Sequence, residues 1–234
     1  MTRPQPDCRR TADKLQAAGH VADEAPLLEF RSCPPASFGL QATSALAVTS
    51  RRAVTVLARH TEIELLRKLP VFAVGEATAG ACRSAGFEHV FTAGGNLKGL
   101  SQLICDHKAE ISGGQLLYPA AADRSGDLVG LLAKVDIQCR LSVVYSMEPA
   151  KNFPAEALSA VQQGITDRVL IFSRRTAEVL RDLIGSGELE HIFSSLPVYA
   201  ISQQAAEPIS RIMRVHVADA PNEKALLDLA LAEC

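Results

Sequence analysis

The most constraining feature of this sequence is an internal duplication. Three pairs of segments match in the same order along the chain, and the pairs are Leu46–Ala53 with Leu170–Ala177, Leu69–Val74 with Leu196–Ile201, and, more weakly, Thr2–Phe30 with Tyr118–Ser146. The offsets are 173 − 50 = 123, 196 − 69 = 127 and 146 − 30 = 116 residues. Solenoid repeats have periods of only about 20–50 residues. The duplication therefore predicts two similar domains, and a cleft between domains is a common place for a small ligand.

The composition is typical of two ordinary globular domains. The chain has 234 residues, of which 47% are hydrophobic and 21% are charged, and domains usually hold roughly 100–150 residues. Its formal net charge of −2 gives no basic field for a nucleic-acid partner. The sequence shows neither a long apolar run nor a signal-peptide pattern. We therefore expect a soluble, cytoplasmic protein without a membrane partner.

The cysteines give no indication of a metal site or of disulfides. They form no Cys-x-x-Cys pair, and no histidine completes a zinc-ligand set around them. The six positions are Cys8, Cys33, Cys82, Cys105, Cys139 and Cys234. In the expected compartment they should be reduced thiols.

Each half alternates short apolar runs with helical patterns, which is typical of βα units and a parallel sheet. The predicted strands include Ala45–Val48, Val71–Val74, His89–Thr92, Val169–Phe172 and Val198–Ile201. The predicted fold class is thus α/β, with two similar three-layer lobes built on parallel sheets.

Two proline-containing segments mark the linker between the lobes. Pro34-Pro35 and Glu148-Pro149 follow the equivalent strands Leu27–Phe30 and Val143–Ser146, and proline ends regular structure. Strands related by a pseudo-twofold axis can pair antiparallel with each other. The predicted division is a discontinuous first lobe of residues 1–26 and 150–234, a two-stranded linker of residues 27–36 and 142–149, and a second lobe of residues 37–141.

A polar cluster follows one strand in each half, immediately before a helix. Thr49-Ser50-Arg51-Arg52 and Ser173-Arg174-Arg175-Thr176 fall at the strand ends where open α/β sheets bind ligands. Their hydroxyls, guanidinium groups and helix N-terminal N–H groups suit a carboxylate or a phosphate. The alternative is that Ser50 and Ser173 serve only as helix N-caps and that the arginines are solvated.

Two further candidates are a glycine turn and a tyrosine. Gly75 could allow a ligand close to the backbone, and Thr78 lies in the first turn of the next helix; a tight βα turn is the alternative. Tyr145 lies on a predicted linker strand, and its phenol could donate a proton in the cleft. The alternative for Tyr145 is packing on a strand. The sequence contains no GxGxxG or P-loop motif.

The order and spacing of several short motifs make the chain similar to the uroporphyrinogen-III synthase family. These motifs are Thr2-Arg3-Pro4, residues 25–30, residues 48–54, Val74-Gly75-Glu76-Ala77-Thr78-Ala79, Leu116-Leu117-Tyr118, Val144-Tyr145 and Phe172-Ser173. The resemblance spans almost the whole chain. It implies two α/β lobes, one of them flavodoxin-like, a two-stranded linker and an active site in the cleft.

The resemblance also implies a substrate and roles for residues. The substrate would be hydroxymethylbilane, a chain of pyrroles bearing acetates and propionates, which is closed to uroporphyrinogen III with loss of water and inversion of ring D through a spiro intermediate. Tyr145 would be the proton donor that assists water loss. The substrate-binding residues would be Arg3, Thr49, Ser50, Gly75, Thr78, Ser173 and Arg174. No metal or cofactor would be required, the protein would be a monomer, and transient contact with the preceding hydroxymethylbilane-forming enzyme is possible.

The chain departs from the family pattern at two places. Ser202 and Ala205 stand where the second repeat usually has a glycine and a threonine, which puts substrate contacts there in doubt. Only Met1 precedes Thr2, although the family has an apolar strand there, so we expect a start that lies further upstream. A non-catalytic tetrapyrrole- or anion-binding sensor on the same scaffold is the alternative function. A general sugar-phosphate or nucleotide enzyme is less favoured because no phosphate loop is present.

Overall fold

The chain is divided into two compact units. The computed structural model describes residues 1–111, 113–124, 126–185 and 188–232. Unit 1 comprises Met1–Phe30 and Glu148–Cys234, and unit 2 comprises Arg31–Met147. The chain thus passes from one unit to the other twice, after residue 30 and after residue 147.

Short strands and helices alternate along both units. The strands are β1 (Leu28–Ser32), β2 (Thr43–Val48), β3 (Val71–Ala73), β4 (Val90–Thr92), β5 (Gln115–Ala121), β6 (Cys139–Pro149), β7 (Val169–Ile171), β8 (Val198–Ala200) and β9 (Val215–Val217). The α-helices are α1 (Asp7–Ala17), α2 (Arg51–Leu57), α3 (Ile63–Leu66), α4 (Glu76–Ser84), α5 (Leu97–Asp106), α6 (Leu128–Ala133), α7 (Ala155–Gln162), α8 (Arg174–Ile184), α9 (Glu188–Ser194), α10 (Gln203–Ala206) and α11 (Glu223–Leu231).

The sheets are mainly parallel, which confirms the predicted α/β class. In the larger sheet the order is β1-β6-β5-β2-β3-β4, and the pairs from β6 to β4 are all parallel. The smaller sheet, β7-β8-β9, is parallel throughout. Strands β1 and β6 run in opposite directions, because Cys33 N–H donates to Val144 O while Ala150 N–H donates to Leu27 O.

The strand order of unit 2 differs from the flavodoxin-like order, which the resemblance implies for one of the two lobes. Numbered from β2 within the unit, the order β4-β3-β2-β5-β6 reads 3-2-1-4-5, whereas a flavodoxin-like sheet reads 2-1-3-4-5. Apolar patterns locate strands but do not encode which strands become neighbours, so the sequence could not distinguish the two orders. The order of unit 2 reverses between β2 and β5, which makes this point the topological switch point where such sheets bind ligands.

Helices cover both faces of the unit 2 sheet. On one face Leu46 and Val48 pack against residues of α2 and α4. On the opposite face Ala45 and Ala47 pack against residues of α5 and α6. Side chains alternate between the two faces of a strand, and both faces of β2 are fully buried. This is why the strand is a continuous apolar run in the sequence.

The sheet of unit 1 is smaller and packs on its own core. Leu170 and Tyr199 from β7 and β8 contact Leu226 and Ala230 of α11 in one buried cluster. The start of the chain runs beside β7, where the Thr2 hydroxyl donates to Leu170 O at 2.6 Å.

Candidate functional site

An open pocket of about 580 Å³ lies at the switch point of unit 2, within the volume range of small-molecule sites. The lining residues belong to the loops that follow β2 to β5 and to the ends of β5 and β6. They are Thr49, Ser50, Val74, Gly95, Asn96, Leu97, Tyr118, Ala121, Asp123, Arg124, Gly126 and Tyr145. Because the carboxyl ends of parallel strands meet at one sheet edge, residues from distant parts of the sequence converge here. Thr49, Ser50 and Tyr145 were predicted as site residues and are brought together by the fold.

Ser50 combines a structural role with a contact inside the pocket. Its Oγ accepts the Arg52 N–H at 3.1 Å and thereby caps α2. The same Oγ accepts the Tyr145 hydroxyl proton at 3.0 Å. With both lone pairs engaged, the Ser50 proton is available to a ligand in the pocket.

A β-bulge directs Tyr145 towards Ser50. The pairing of β5 with β6 shifts register after Ala120–Val143, so that Ala121 is paired with Tyr145 and Val144 is left as the extra residue. Val144 and Tyr145 consequently join the same core cluster, although consecutive residues of a regular strand point to opposite faces. Bulges commonly redirect a side chain beside an active site. The phenol is 6% exposed, so its position is fixed by packing.

Tyr118 is a pocket residue that the sequence did not reveal. Its Oη lies 3.1 Å from Thr49 Oγ1, and it packs with the cluster on the α5 and α6 face of the sheet. Burial raises the pKa of Tyr118, although the Thr49 hydrogen bond and the charge of Arg124 partly oppose this. The phenol is therefore protonated at neutral pH. A tyrosine in an apolar strand resembles an ordinary core residue, and its neighbour Thr49 is 69 residues away.

Arg124 brings positive charge to the pocket. It is the only basic side chain among the described lining residues, and its Nη1 donates to Ala121 O at 2.6 Å and to Ala122 O at 2.8 Å. The loop is in turn tied to β6, because Ala122 N–H donates to Tyr145 O at 2.8 Å. A guanidinium group held in this way can attract a carboxylate.

Gly75 and Thr78, also predicted as binding residues, lie next to the pocket but do not line it. A Cβ on Gly75 would come within 3.2 Å of Gly95 Cα, so glycine permits the loop before α4 to contact the loop after β4. Thr78 is 6% exposed, and its N–H donates to Gly75 O at 3.0 Å. The close packing favours glycine at this turn.

The remaining predicted residues belong to unit 1, where the arginines already have acidic partners. Arg3 Nη1 lies 2.9 Å from Glu223 Oε1, and its guanidinium lies 4.3 Å from the centre of the Phe172 ring. Arg174 pairs with Glu178 at 3.0 Å and also with Glu207.

The serines of unit 1 act as helix caps. Ser173 Oγ accepts the Thr176 N–H at 3.2 Å and caps α8, which is the cap role given above as the alternative to ligand binding. Ser202 Oγ accepts the Ala205 N–H at 3.3 Å and caps α10. Gln203 and Gln204, which follow Ser202, are exposed.

The described part of the chain has neither a cluster of metal-binding side chains nor a membrane-spanning helix. Within 1–111, 113–124, 126–185 and 188–232, no group of three or more His, Cys, Asp or Glu side chains is arranged to hold a metal ion. No helix in these ranges has the length and apolar character needed to cross a bilayer.

A doubly wound α/β sheet with paired hydroxyls, a carboxylate and a guanidinium at its switch point is typical of proteins that bind a polar small molecule. Comparison with known families gives the particular family. The family model of uroporphyrinogen-III synthase HemD matches residues 9–228, and the chain therefore belongs to the uroporphyrinogen-III synthase family. The predicted family and function are thereby confirmed, and no match supports the sensor alternative.

Solved structures share the fold. The uroporphyrinogen-III synthetase of Helicobacter pylori has 19% sequence identity and a TM-score of 0.67, over 93% of this chain and 94% of that one. A mutant uroporphyrinogen III synthase from the extremely thermophilic bacterium Thermus thermophilus has 14% identity and a TM-score of 0.55, over 100% and 98% of the two chains. A search of curated protein sequences finds no match.

Proposed function

We propose that this protein closes hydroxymethylbilane to uroporphyrinogen III and that the switch-point pocket of unit 2 carries out the step that starts the reaction. The observation behind this proposal is the 3.0 Å hydrogen bond between the Tyr145 hydroxyl and Ser50 Oγ at the pocket wall. It places a hydroxyl that can donate a proton in an open pocket, next to other hydroxyls that can hold carboxylates.

Tyr145 is the general acid of this mechanism. It protonates the terminal hydroxyl of the substrate, which leaves as water while a pyrrole nitrogen lone pair forms the azafulvene. Ring D attacks through its substituted carbon to give the spiro intermediate, which fragments and closes again with ring D inverted. Restoration of the aromatic pyrrole releases one proton, which balances the proton that Tyr145 supplied. General acid catalysis of this kind contributes about 10²–10⁴-fold.

Holding the substrate in one geometry supplies a second part of the rate. The open chain cyclises spontaneously to the type I isomer, so the protein has to favour one approach of ring D. Correct orientation of reacting groups can lower a barrier by several kcal/mol. We assign Thr49, Ser50 and Arg124 to carboxylates of the substrate, because they present hydroxyl protons and a guanidinium group in the pocket.

Arg3, Gly75, Thr78, Ser173 and Arg174 remain proposed substrate contacts. For Arg3, binding a substrate carboxylate means exchanging Glu223, and for Arg174 it means exchanging Glu178 or Glu207. Such an exchange replaces one ion pair by another, and at the exposed Arg174 it changes the free energy little.

We further propose that the two units arose by duplication and that residues 27–36 and 142–149 form the linker. The unit boundaries after residues 30 and 147 fall inside these segments, which supports the proposal. We also propose that the protein is a cytoplasmic monomer. It takes its substrate by transient contact with the hydroxymethylbilane-forming enzyme.

An isomer-resolved assay tests the proposed reaction. Hydroxymethylbilane is generated in the assay by the preceding enzyme, and the product is oxidised and separated by chromatography into type I and type III isomers. We expect type III in excess over a control without the protein. Type I alone would contradict the proposal, and a tetrapyrrole bound without turnover would favour the sensor.

A further inference from the structure

The pocket contains a second tyrosine–hydroxyl pair that the proposed mechanism does not use. Tyr118 Oη and Thr49 Oγ1 are 3.1 Å apart, and Tyr145 Oη and Ser50 Oγ are 3.0 Å apart. The two phenols approach the same sheet edge from opposite faces, because Tyr118 and Tyr145 belong to different core clusters. Consecutive residues, Thr49 and Ser50, thus each have a buried phenol as a partner.

The acidity of the two groups determines the direction of the Tyr118–Thr49 hydrogen bond. A phenol is a stronger acid than an aliphatic hydroxyl and is therefore the better donor. When Tyr118 donates to Thr49 Oγ1, the proton of Thr49 is left for another acceptor. Thr49 lines the pocket, so this acceptor can be a ligand. Tyr118 is 2% exposed, which fixes the phenol and, through it, the orientation of Thr49.

We propose that Tyr118 is a positioning residue, which directs the Thr49 hydroxyl proton into the pocket towards a substrate carboxylate. This inference rests on the proposed function, since it assigns a carboxylate of hydroxymethylbilane to Thr49. Arg124, which lines the same pocket, supplies the charge that a hydroxyl alone lacks. Tyr118 acts through Thr49 and does not take part in proton transfer to the leaving group.

A positioning role and a catalytic role predict different kinetic changes. Loss of an interaction that holds the substrate equally in the ground and transition states raises KM and leaves kcat unchanged. For Tyr118→Phe we expect KM to rise about tenfold, the size of one hydrogen bond to a charged group, with kcat within about twofold of wild type. Tyr145→Phe should instead lower kcat.

A double-mutant cycle tests whether Tyr118 acts through Thr49. Tyr118→Phe and Thr49→Val should each raise KM about tenfold, and the double variant should be no worse than either one, because both remove the same interaction. Multiplying effects, about 100-fold in the double variant, would overturn the inference. Tyr199→Phe is the matched control, since it removes the phenol of the remaining tyrosine from the core of unit 1.

Further measurements separate this inference from the proposed function. If the wild type forms type III product but KM is unchanged in Tyr118→Phe and Thr49→Val, the inference is overturned and the proposed function stands. Type I product alone from wild type would overturn both. If Tyr118→Phe does not fold, Thr49→Ser and Thr49→Val decide the question. The serine variant keeps a hydroxyl and should retain the wild-type KM, and equal KM values for both variants would contradict the role of Thr49.

Discussion

Replacement of Tyr145 by phenylalanine removes the proposed general acid while preserving the packing of the ring. Without this proton donor we expect kcat to fall by about 10²–10⁴-fold. The cost in stability should be small. The lost hydrogen bond to Ser50 contributes about 1 kcal/mol, and Ser50 Oγ still accepts the Arg52 N–H, so no buried acceptor is left unsatisfied. In a chain of this size, 1 kcal/mol lowers the Tm by about 2–4 °C.

The isomer-resolved assay, run over a range of substrate concentrations beside a thermal melt, measures both quantities. Tyr199→Phe serves again as the control, because it changes a buried phenol outside the pocket. Wild-type kcat in a folded Tyr145→Phe variant would refute the reasoning. A loss of activity that paralleled a large fall in Tm would also refute it, since the role of Tyr145 would then be structural.

Two other predictions concern ionisable groups away from the pocket. Hydrogen bonds from Phe38 N–H and the Ser37 hydroxyl lower the pKa of Glu62, so its stabilising contribution is complete above its unfolded pKa of about 4.3 and is lost as the pH falls. Urea unfolding should therefore find Glu62→Gln less stable than wild type at pH 7, and the difference should shrink as the pH falls below the unfolded pKa. A difference that stays constant as the pH falls would contradict this. Burial raises the pKa of Cys139 to about 12, so iodoacetamide at pH 8 should label the exposed Cys33 before it labels Cys139. Peptide mass spectra measure the two labelling rates, and faster labelling of Cys139 would contradict this prediction.

Features of the fold that depend on neighbouring residues in the sequence could be predicted. Helix α5 is one such feature, because Asn96 in the sequence marks its start and caps it in the structure, where its side chain accepts the Gly99 N–H. Gly86 has a φ of +86° just after α4, as expected for a glycine that ends a helix. These signals are local, because a cap or a left-handed residue acts within one turn of the chain.

Features that depend on tertiary contacts could not be predicted. The order of strands in unit 2 is set by which apolar faces meet. A given pattern of apolar residues along the chain is compatible with more than one strand order. Helix α6 begins only at Leu128, and Asp123, Arg124 and Gly126 before it line the pocket. A ligand-binding loop and the first turn of a helix have similar polar sequences.

Some residues of the candidate site could likewise be predicted from the sequence, and others could not. Thr49, Ser50 and Tyr145 could be found because strand ends and hydroxyl residues leave a sequence signal. Tyr118 could not, because its partner is distant in the chain. The acidic partner of Arg3 is 220 residues away, and no sequence pattern indicates such a pair.

Hydrogen–deuterium exchange with uroporphyrinogen III, measured without oxygen, tests most directly whether the pocket of unit 2 binds the tetrapyrrole. The amides of segments 49–52, 94–97 and 121–124 should exchange more slowly when the product is bound, because these loops form the pocket wall. The solvent side of α4, which lies outside the pocket lining, provides the internal control. Saturating product that leaves all three segments unprotected would contradict the assignment of the site.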